Sequence, residues 1–237
     1  MSGAEFDRHA EAYDGGLDNP VKRMMGNSAD QFIGVKARWL LRREPGLTDG
    51  TLSVLDYGCG AGDLMRVLAD LGARARFTGC DVSEGMLAEV AKRWPERHGP
   101  PPLVSVQQEA RTPFADGQFD IATISAVLHH VPVAERPAVY GELARVLKPG
   151  GRLYVFEHNP RNPLVRYVVA RTPIDENAIL LDAREVRRGL SESARYALGT
   201  DYLMFVPPGV ASLRGIDRAL AWLPLGAQYV VAGRKSG

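Results

Sequence analysis

Residues with the types and spacing to do chemistry fall into three groups along this 237-residue chain. The first is the run Val54-Leu55-Asp56-Tyr57-Gly58-Cys59-Gly60-Ala61-Gly62-Asp63, followed by Asp81. Glycines at that spacing suit a sharp strand-to-helix turn with positive φ, and they let a ligand approach bare backbone. A G-x-G-x-x-G dinucleotide fingerprint needs a third glycine at position 63 or 65, where Asp63 and Met65 stand. Acids at the strand end and helix start disfavour a pyrophosphate, so a ligand carrying an amino group is expected instead. Asp81 lies 21 residues beyond Gly60, near the ~20-residue offset at which a carboxylate accepts from both ribose hydroxyls. The competing role for Asp81, helix N-cap, falls more naturally to Ser83.

The second group is imidazole. His129 and His130 follow the fourth expected strand and His158 follows the fifth, on the side of an open α/β sheet where ligands bind. A histidine there is a natural proton acceptor for a hydroxyl substrate. The plainer alternative packs one of the adjacent pair under a helix and leaves the other in solvent. His9 and Tyr13 share a face of an N-terminal helix, and His98 sits in an expected exposed loop. The third group is the arginines from Arg161 to Arg195; most suit a solvated helix face, and Arg161 or Arg166 could fork a carboxylate or phosphate on a substrate. No cluster of acids and histidines at ligand spacing is evident along the chain, and no metal is expected.

The elements that must position these groups alternate. Helical spacing at Phe32, Val35, Trp39 and Leu40 predicts a helical preface over residues 6–43. Strands follow at 51–58, 75–82, 103–108, 118–128 and 150–157, separated by helices at 63–72, 83–94 and 136–147. A proline-rich connection, a helix near 182–193 and two late strands at 202–206 and 227–234 close the pattern. The expectation is one domain over 1–237, with a helical cover at 1–45, a ligand-binding core at 51–157 and a substrate-side segment at 158–237. The long connection after the fifth strand is where substrate elements are expected. Trp222-Leu223-Pro224-Leu225 is expected in the core rather than at a dimer seam, and the oligomeric state stays open.

Composition excludes several classes. The formal charge of +1, from 29 basic and 28 acidic residues, gives no net field for a nucleic acid. Only Cys59 and Cys80 are present, without zinc-finger spacing, which fits a reducing cytoplasm. The N-terminus lacks a signal-peptide pattern, and no stretch approaches the roughly 20 apolar residues of a membrane span.

Five motifs in order resemble the class I S-adenosylmethionine-dependent methyltransferases, in particular the small-molecule group of ubiquinone and menaquinone methylases. They are Asp56-x-Gly58-Cys59-Gly60-x-Gly62; Asp81-Val82-Ser83-x-x-Met86-Leu87; Glu109-Ala110; Phe114-x-Asp116-x-x-Phe119-Asp120; and Arg145-Val146-Leu147-Lys148-Pro149-Gly150-Gly151. The resemblance covers about residues 51–157. It implies a Rossmann-like α/β fold with a seven-stranded sheet, parallel except for its last strand, and S-adenosylmethionine as cofactor with S-adenosylhomocysteine as product. It implies that the Gly58–Gly62 backbone lines the methionine part, Asp81 holds the ribose, Val82 and Met86 pack on adenine, and Glu109-Ala110 replace the usual Asp-Ala at the adenine edge. Tyr13 is expected near the methionine end, and Asp56, Cys59 and Ser125 in the same pocket. His130, His158 and His129 are the catalytic candidates. The implied activity is methyl transfer to a small molecule, with O-methylation in secondary metabolism or of a glycan or lipid precursor placed first. N-methylation, or a cofactor-binding protein that does not transfer methyl, are the alternatives. A base-amine nucleic-acid methylase would carry Asn or Asp before Pro-Pro-aromatic where Ser125-Ala126-Val127-Leu128 stands.

Overall fold

A computed structural model describes residues 29–172, 175–206 and 214–236. Its centre is a seven-stranded sheet in the order β3-β2-β1-β4-β5-β7-β6. The strands are β1 (Ser53–Tyr57), β2 (Arg76–Asp81), β3 (Leu103–Val106), β4 (Phe119–Ser125), β5 (Leu147–His158), β6 (Tyr196–Leu203) and β7 (Gln228–Lys235). The first five pair in parallel, and β7 runs antiparallel to both β5 and β6. The chain builds outward from β1 to β3, then returns to place β4 on the other side of β1. That reversal opens a crevice at the carboxyl ends of β1 and β4.

Alternation along the strands sorts the core into two layers. Leu55, Tyr57, Leu153, Val155, Tyr229 and Val231 face one side, where they meet α4 (Arg136–Val146) and α6 (Ala183–Ser193). Val54, Tyr154, Phe156 and Val230 face the other side, against α1 (Ala29–Arg43) and α2 (Asp63–Asp70). Central strands buried on both faces are the rule for parallel sheets covered by helices. Trp39 of α1 stacks edge-on against Tyr154 and Phe156 and donates from its indole to Asp201 Oδ2 at 3.0 Å, which ties α1 to β6.

The expected α/β architecture is therefore present, with differences at the edges. The sixth strand begins at Tyr196 instead of Tyr202. It pairs on one side only, so of its eight residues only Leu203 is buried and the apolar pattern that marks inner strands is weak. Trp222 and Leu225, expected in the core, are 72% and 53% exposed. His98, expected in solvent, is half-buried, stacks on Trp94 and lies 2.7 Å from Asp70 Oδ1. Of the expected N-terminal cover, α1 is seen; His9 and Tyr13 lie outside the described residues.

The loop after β5 is tied down by two asparagines. Asn159 Nδ2 donates to the Gly226 carbonyl at 2.8 Å and Asn162 Nδ2 to the Leu225 carbonyl at 2.8 Å. Asn162 Oδ1 accepts from the amides of Leu164 and Val165 and so caps α5 (Pro163–Val169). The Asn-Pro-x-Asn-Pro run is thus the clamp that lays α5 beside the crevice.

Candidate functional site

A cavity of about 440 Å³ occupies the crevice, within the size range of small-molecule sites. One end is built by the glycine loop. Gly58, Gly60 and Gly62 have φ of 67°, 51° and 78°, a region L side chains rarely adopt. A Cβ on Gly58 would stand 2.5 Å from Val127 Cγ2, whereas the space beside Gly60 is open. The first glycine is needed for packing, and the second leaves its backbone facing the cavity. Asp81 Oδ2 accepts from the Gly60 amide at 2.8 Å and Oδ1 from the Ser83 amide at 3.0 Å, so it also braces the loop. Ser83 Oγ accepts from the Met86 amide at 3.1 Å, so Ser83 is the N-cap of α3 (Glu84–Arg93), as expected.

Asp56 ends β1 on the α1 side of the sheet. It is 3% exposed and accepts from Thr123 Oγ1 at 2.8 Å. Burial lifts its pKa to about 7, against the opposing Thr123 hydrogen bond and the charge of Lys36. Lys36 reaches in from α1 and donates to Ser125 Oγ at 2.9 Å. Because the folded carboxyl holds its proton to higher pH than the unfolded one, this group favours the fold most in acid. That contribution fades as pH rises from about 4 to 7. Urea unfolding at pH 5 and pH 8 is expected to show a loss of stability in wild type that is smaller in Asp56→Asn. The difference between the two proteins is bounded by about 4 kcal/mol; equal losses would contradict it.

Val82, Met86, Glu109 and Ala110 line the same end. The Ala110 carbonyl accepts from Tyr57 OH at 2.9 Å and the Glu109 carbonyl from Gln107 Nε2 at 2.9 Å. Among the described residues the non-glycine positions with positive φ are Glu109, Ala126 and Met204, and all three line the cavity. Such strain gathers where geometry is imposed by function.

The opposite end is imidazole and apolar wall. His129 Nδ1 lies 2.6 Å from Glu157 Oε2, and its Nε2 lies 3.5 Å from Asp175 Oδ1. Glu157 Oε1 also accepts from the amides of Val127 and Leu128, at 3.1 and 2.7 Å. Burial would strip the proton from His129, but the two carboxylates outweigh it and raise its pKa, while Glu157 beside it is held low despite burial. Removing one partner of a buried pair of this kind costs about 3–5 kcal/mol. His130, with Nε2 3.5 Å from Asp175 Oδ1, is depressed to about 4 by burial and by the neighbouring His129 charge. The same two causes take His158 to about 3. One ring is therefore a cation and two are neutral bases. Val127, Val131, Val139, Leu164, Val165 and Val169 supply the wall around them.

Comparison with known proteins matches the arrangement. The family model described as a methyltransferase domain matches residues 55–155. A demethylmenaquinone methyltransferase from Beutenbergia cavernae is 45% identical over 166 residues, which are 66% of this chain and 62% of that protein. The chain thus spans about three fifths of that relative's length. One of the same name from Parafrankia is 30% identical over 250 residues, covering 98% of this chain and 94% of that one. The chain belongs to the class I S-adenosylmethionine-dependent methyltransferases. The solved structure of magnesium protoporphyrin IX methyltransferase from Synechocystis, with S-adenosylhomocysteine bound, shares the fold at TM-score 0.66 and 22% identity, covering 98% of this chain and 95% of that one.

Within this methyltransferase, Asp56, Gly58, Cys59, Gly60, Asp81, Val82, Met86, Glu109, Ala110, Ser125, His129, His130 and His158 all line one cavity. Gly62 stands just behind it, at the N-cap of α2. Neither Arg161 nor Arg166 lines the cavity, and Arg161 donates to Asp182 Oδ2 at 3.1 Å, which counts against the anion-binding alternative. One expectation fails. A cluster of ligand-type groups does exist at the sheet rim, since His129, His130 and Asp175 converge; Asp175 is too far along the chain for spacing to have shown it. Sequence reasoning also missed Lys36. It lies three and four residues from Ile33 and Phe32 on the buried face of α1, and a cation among apolar neighbours was the available signal.

Proposed function

We propose that the chain transfers a methyl group from S-adenosylmethionine to a hydroxylated, largely apolar small molecule, quinone-related as the relatives' names suggest. The observation that carries this is the polarity of this cavity: carboxylates and bare glycine backbone at one end, imidazoles in an apolar wall at the other. Asp81 accepts from the ribose hydroxyls, Met86 and Val82 pack on adenine, and Asp56 faces the cofactor's ammonium. The cofactor supplies the leaving group, so the protein's work is alignment, exclusion of water and removal of one proton.

We assign proton removal to His158, which lines this end of the cavity with its ring centroid 5.2 Å from that of His129. His129, held between Glu157 and Asp175, orients its neighbours. Among the described residues the cavity wall carries Lys36 as its one lysine and no arginine, which supports an acceptor without phosphate. Oxygen is the acceptor atom we put first. Transfer to a ring carbon activated by the ionised hydroxyl is the second reading, since both relatives compared are named for demethylmenaquinone.

The test is incubation with S-adenosylmethionine and a panel of hydroquinones, monophenols, aliphatic alcohols and amines. S-adenosylhomocysteine is expected with the aromatic hydroxyl compounds, and product NMR distinguishes an O-methyl from a C-methyl group. Turnover confined to amines would overturn the proposal. No helix among the described residues is long and apolar enough to cross a membrane, and we propose a cytoplasmic enzyme that meets no nucleic acid.

A further inference from the structure

We propose that His129, His130 and Asp175 form a binding site for a first-row divalent metal ion of the zinc or iron(II) type, at the acceptor end of the cavity. The three residues each present one ligand atom, and these atoms lie within 4.8 Å of one another. Asp175 Oδ1 stands 3.5 Å from His129 Nε2 and 3.5 Å from His130 Nε2. Ligand atoms bound to a tetrahedral ion at about 2.0–2.2 Å are roughly 3.3–3.6 Å apart. Two edges of the triangle thus already have the length an ion requires, and the third, between the imidazoles, closes when the ion binds.

The surroundings are those of a metal site as well as of an imidazole pair. A ligating histidine usually gives its second ring nitrogen to a carboxylate, which fixes the ring and its tautomer. Glu157 does this for His129 at 2.6 Å and is itself held by two backbone amides. Asp175 is fixed by a turn in which its amide donates to the Thr172 carbonyl and its carbonyl accepts from the Ala178 amide, both at 2.9 Å. The Ile179 amide donates to the His129 carbonyl at 2.7 Å, locking this turn to the histidine segment. Two carboxylates are thereby buried beside the two imidazoles; a dication that displaces the His129 Nε2 proton to solvent neutralises both. Two nitrogens and one oxygen suit zinc, iron(II) or another borderline ion, whereas magnesium and calcium demand mostly oxygen.

Three protein ligands leave a coordination position open, and His129, His130 and Asp175 all line the cavity. In the role it gives the ion, the inference rests on the methyl-transfer reading. An acceptor hydroxyl on the ion loses its proton more readily. The O–H bond breaks with the electron pair left on oxygen, the proton passes to His158, and the oxygen then takes the methyl while the S–CH3 pair returns to sulfur.

The experiment uses the full chain without a histidine tag, stripped with chelator, then titrated with cobalt(II) as a coloured probe and with zinc by calorimetry. One equivalent is expected to bind, with visible ligand-field bands that zinc abolishes and millimolar magnesium leaves. His130→Gln and Asp175→Asn are each expected to weaken cobalt binding at least tenfold, and Glu157→Gln about 10–100-fold. Each variant is compared with wild type in S-adenosylmethionine affinity, to show that the fold is kept. His130, at the cavity face, is the substitution least exposed to a folding defect. Absence of stoichiometric uptake, or uptake unchanged in His130→Gln and Asp175→Asn, would overturn the site. Failure of wild type to bind S-adenosylmethionine while cobalt still binds at this triad would overturn the functional reading and leave the metal site standing.

Discussion

Asp81→Ala is expected to weaken S-adenosylmethionine binding about 100-fold in calorimetric titration. A carboxylate that accepts from hydroxyls contributes about 1.5–3 kcal/mol per charge-assisted hydrogen bond, and each 1.4 kcal/mol is tenfold in affinity. Two such bonds to ribose hydroxyls, at the lower end of that range, would account for a loss of this size. The same carboxylate holds the Gly60 amide at 2.8 Å, so truncation also loosens the glycine loop that lines the cavity. Asp81→Asn keeps one acceptor and is expected to lose about tenfold. The thermal midpoint separates loss of the site from loss of the fold. An Asp81→Ala protein that binds within twofold of wild type would remove the ribose from this carboxylate.

The second large effect concerns proton removal. His158→Ala is expected to lower kcat about 100-fold or more with a hydroxyl acceptor, the usual contribution of a positioned base, while S-adenosylmethionine affinity stays within twofold. His130→Ala is expected to fall in the same direction, and the double variant by less than the product of the two, because the rings share one cluster. His129 and His130 have ring centroids 4.1 Å apart, and His129 and His158 5.2 Å. An acceptor offered already ionised should recover much of the lost rate in His158→Ala. Equal losses with ionised and protonated acceptors would assign these rings to packing.

Much of this fold was legible because parallel strands and their helices carry strong local signals. Short buried runs such as Ser53–Tyr57 and Phe119–Ser125, each ending at a turn, leave little choice of element. Glycine positions at 58, 60 and 62 follow from positive φ, and the Asp81–Ser83 division follows from capping chemistry. That end of the cavity was therefore readable from residues close together in sequence. The acceptor end was not. His129, Glu157 and Asp175 meet only because β4 and β5 are neighbours and because the turn at Asp175 folds back over the His129 carbonyl. Nothing local to Asp175 distinguishes it from the other acids in that long connection. Edge features failed for a related reason. Tyr196–Leu203 pairs on one side, so its pattern is diluted by exposed positions, and the apolar look of Trp222-Leu223-Pro224-Leu225 says nothing of which way a short turn points its side chains. Arg161 shows the converse: a residue chemically suited to an anion is already paired with Asp182.

The most direct measurement of the central claim is a single-turnover assay with methyl-labelled S-adenosylmethionine, excess enzyme and a hydroquinone acceptor. S-adenosylhomocysteine and labelled acceptor are expected to appear in equal amounts, at a rate that collapses in Asp81→Ala. Tight binding of S-adenosylmethionine with no S-adenosylhomocysteine formed from any member of the acceptor panel would contradict methyl transfer and leave a protein that only holds the cofactor.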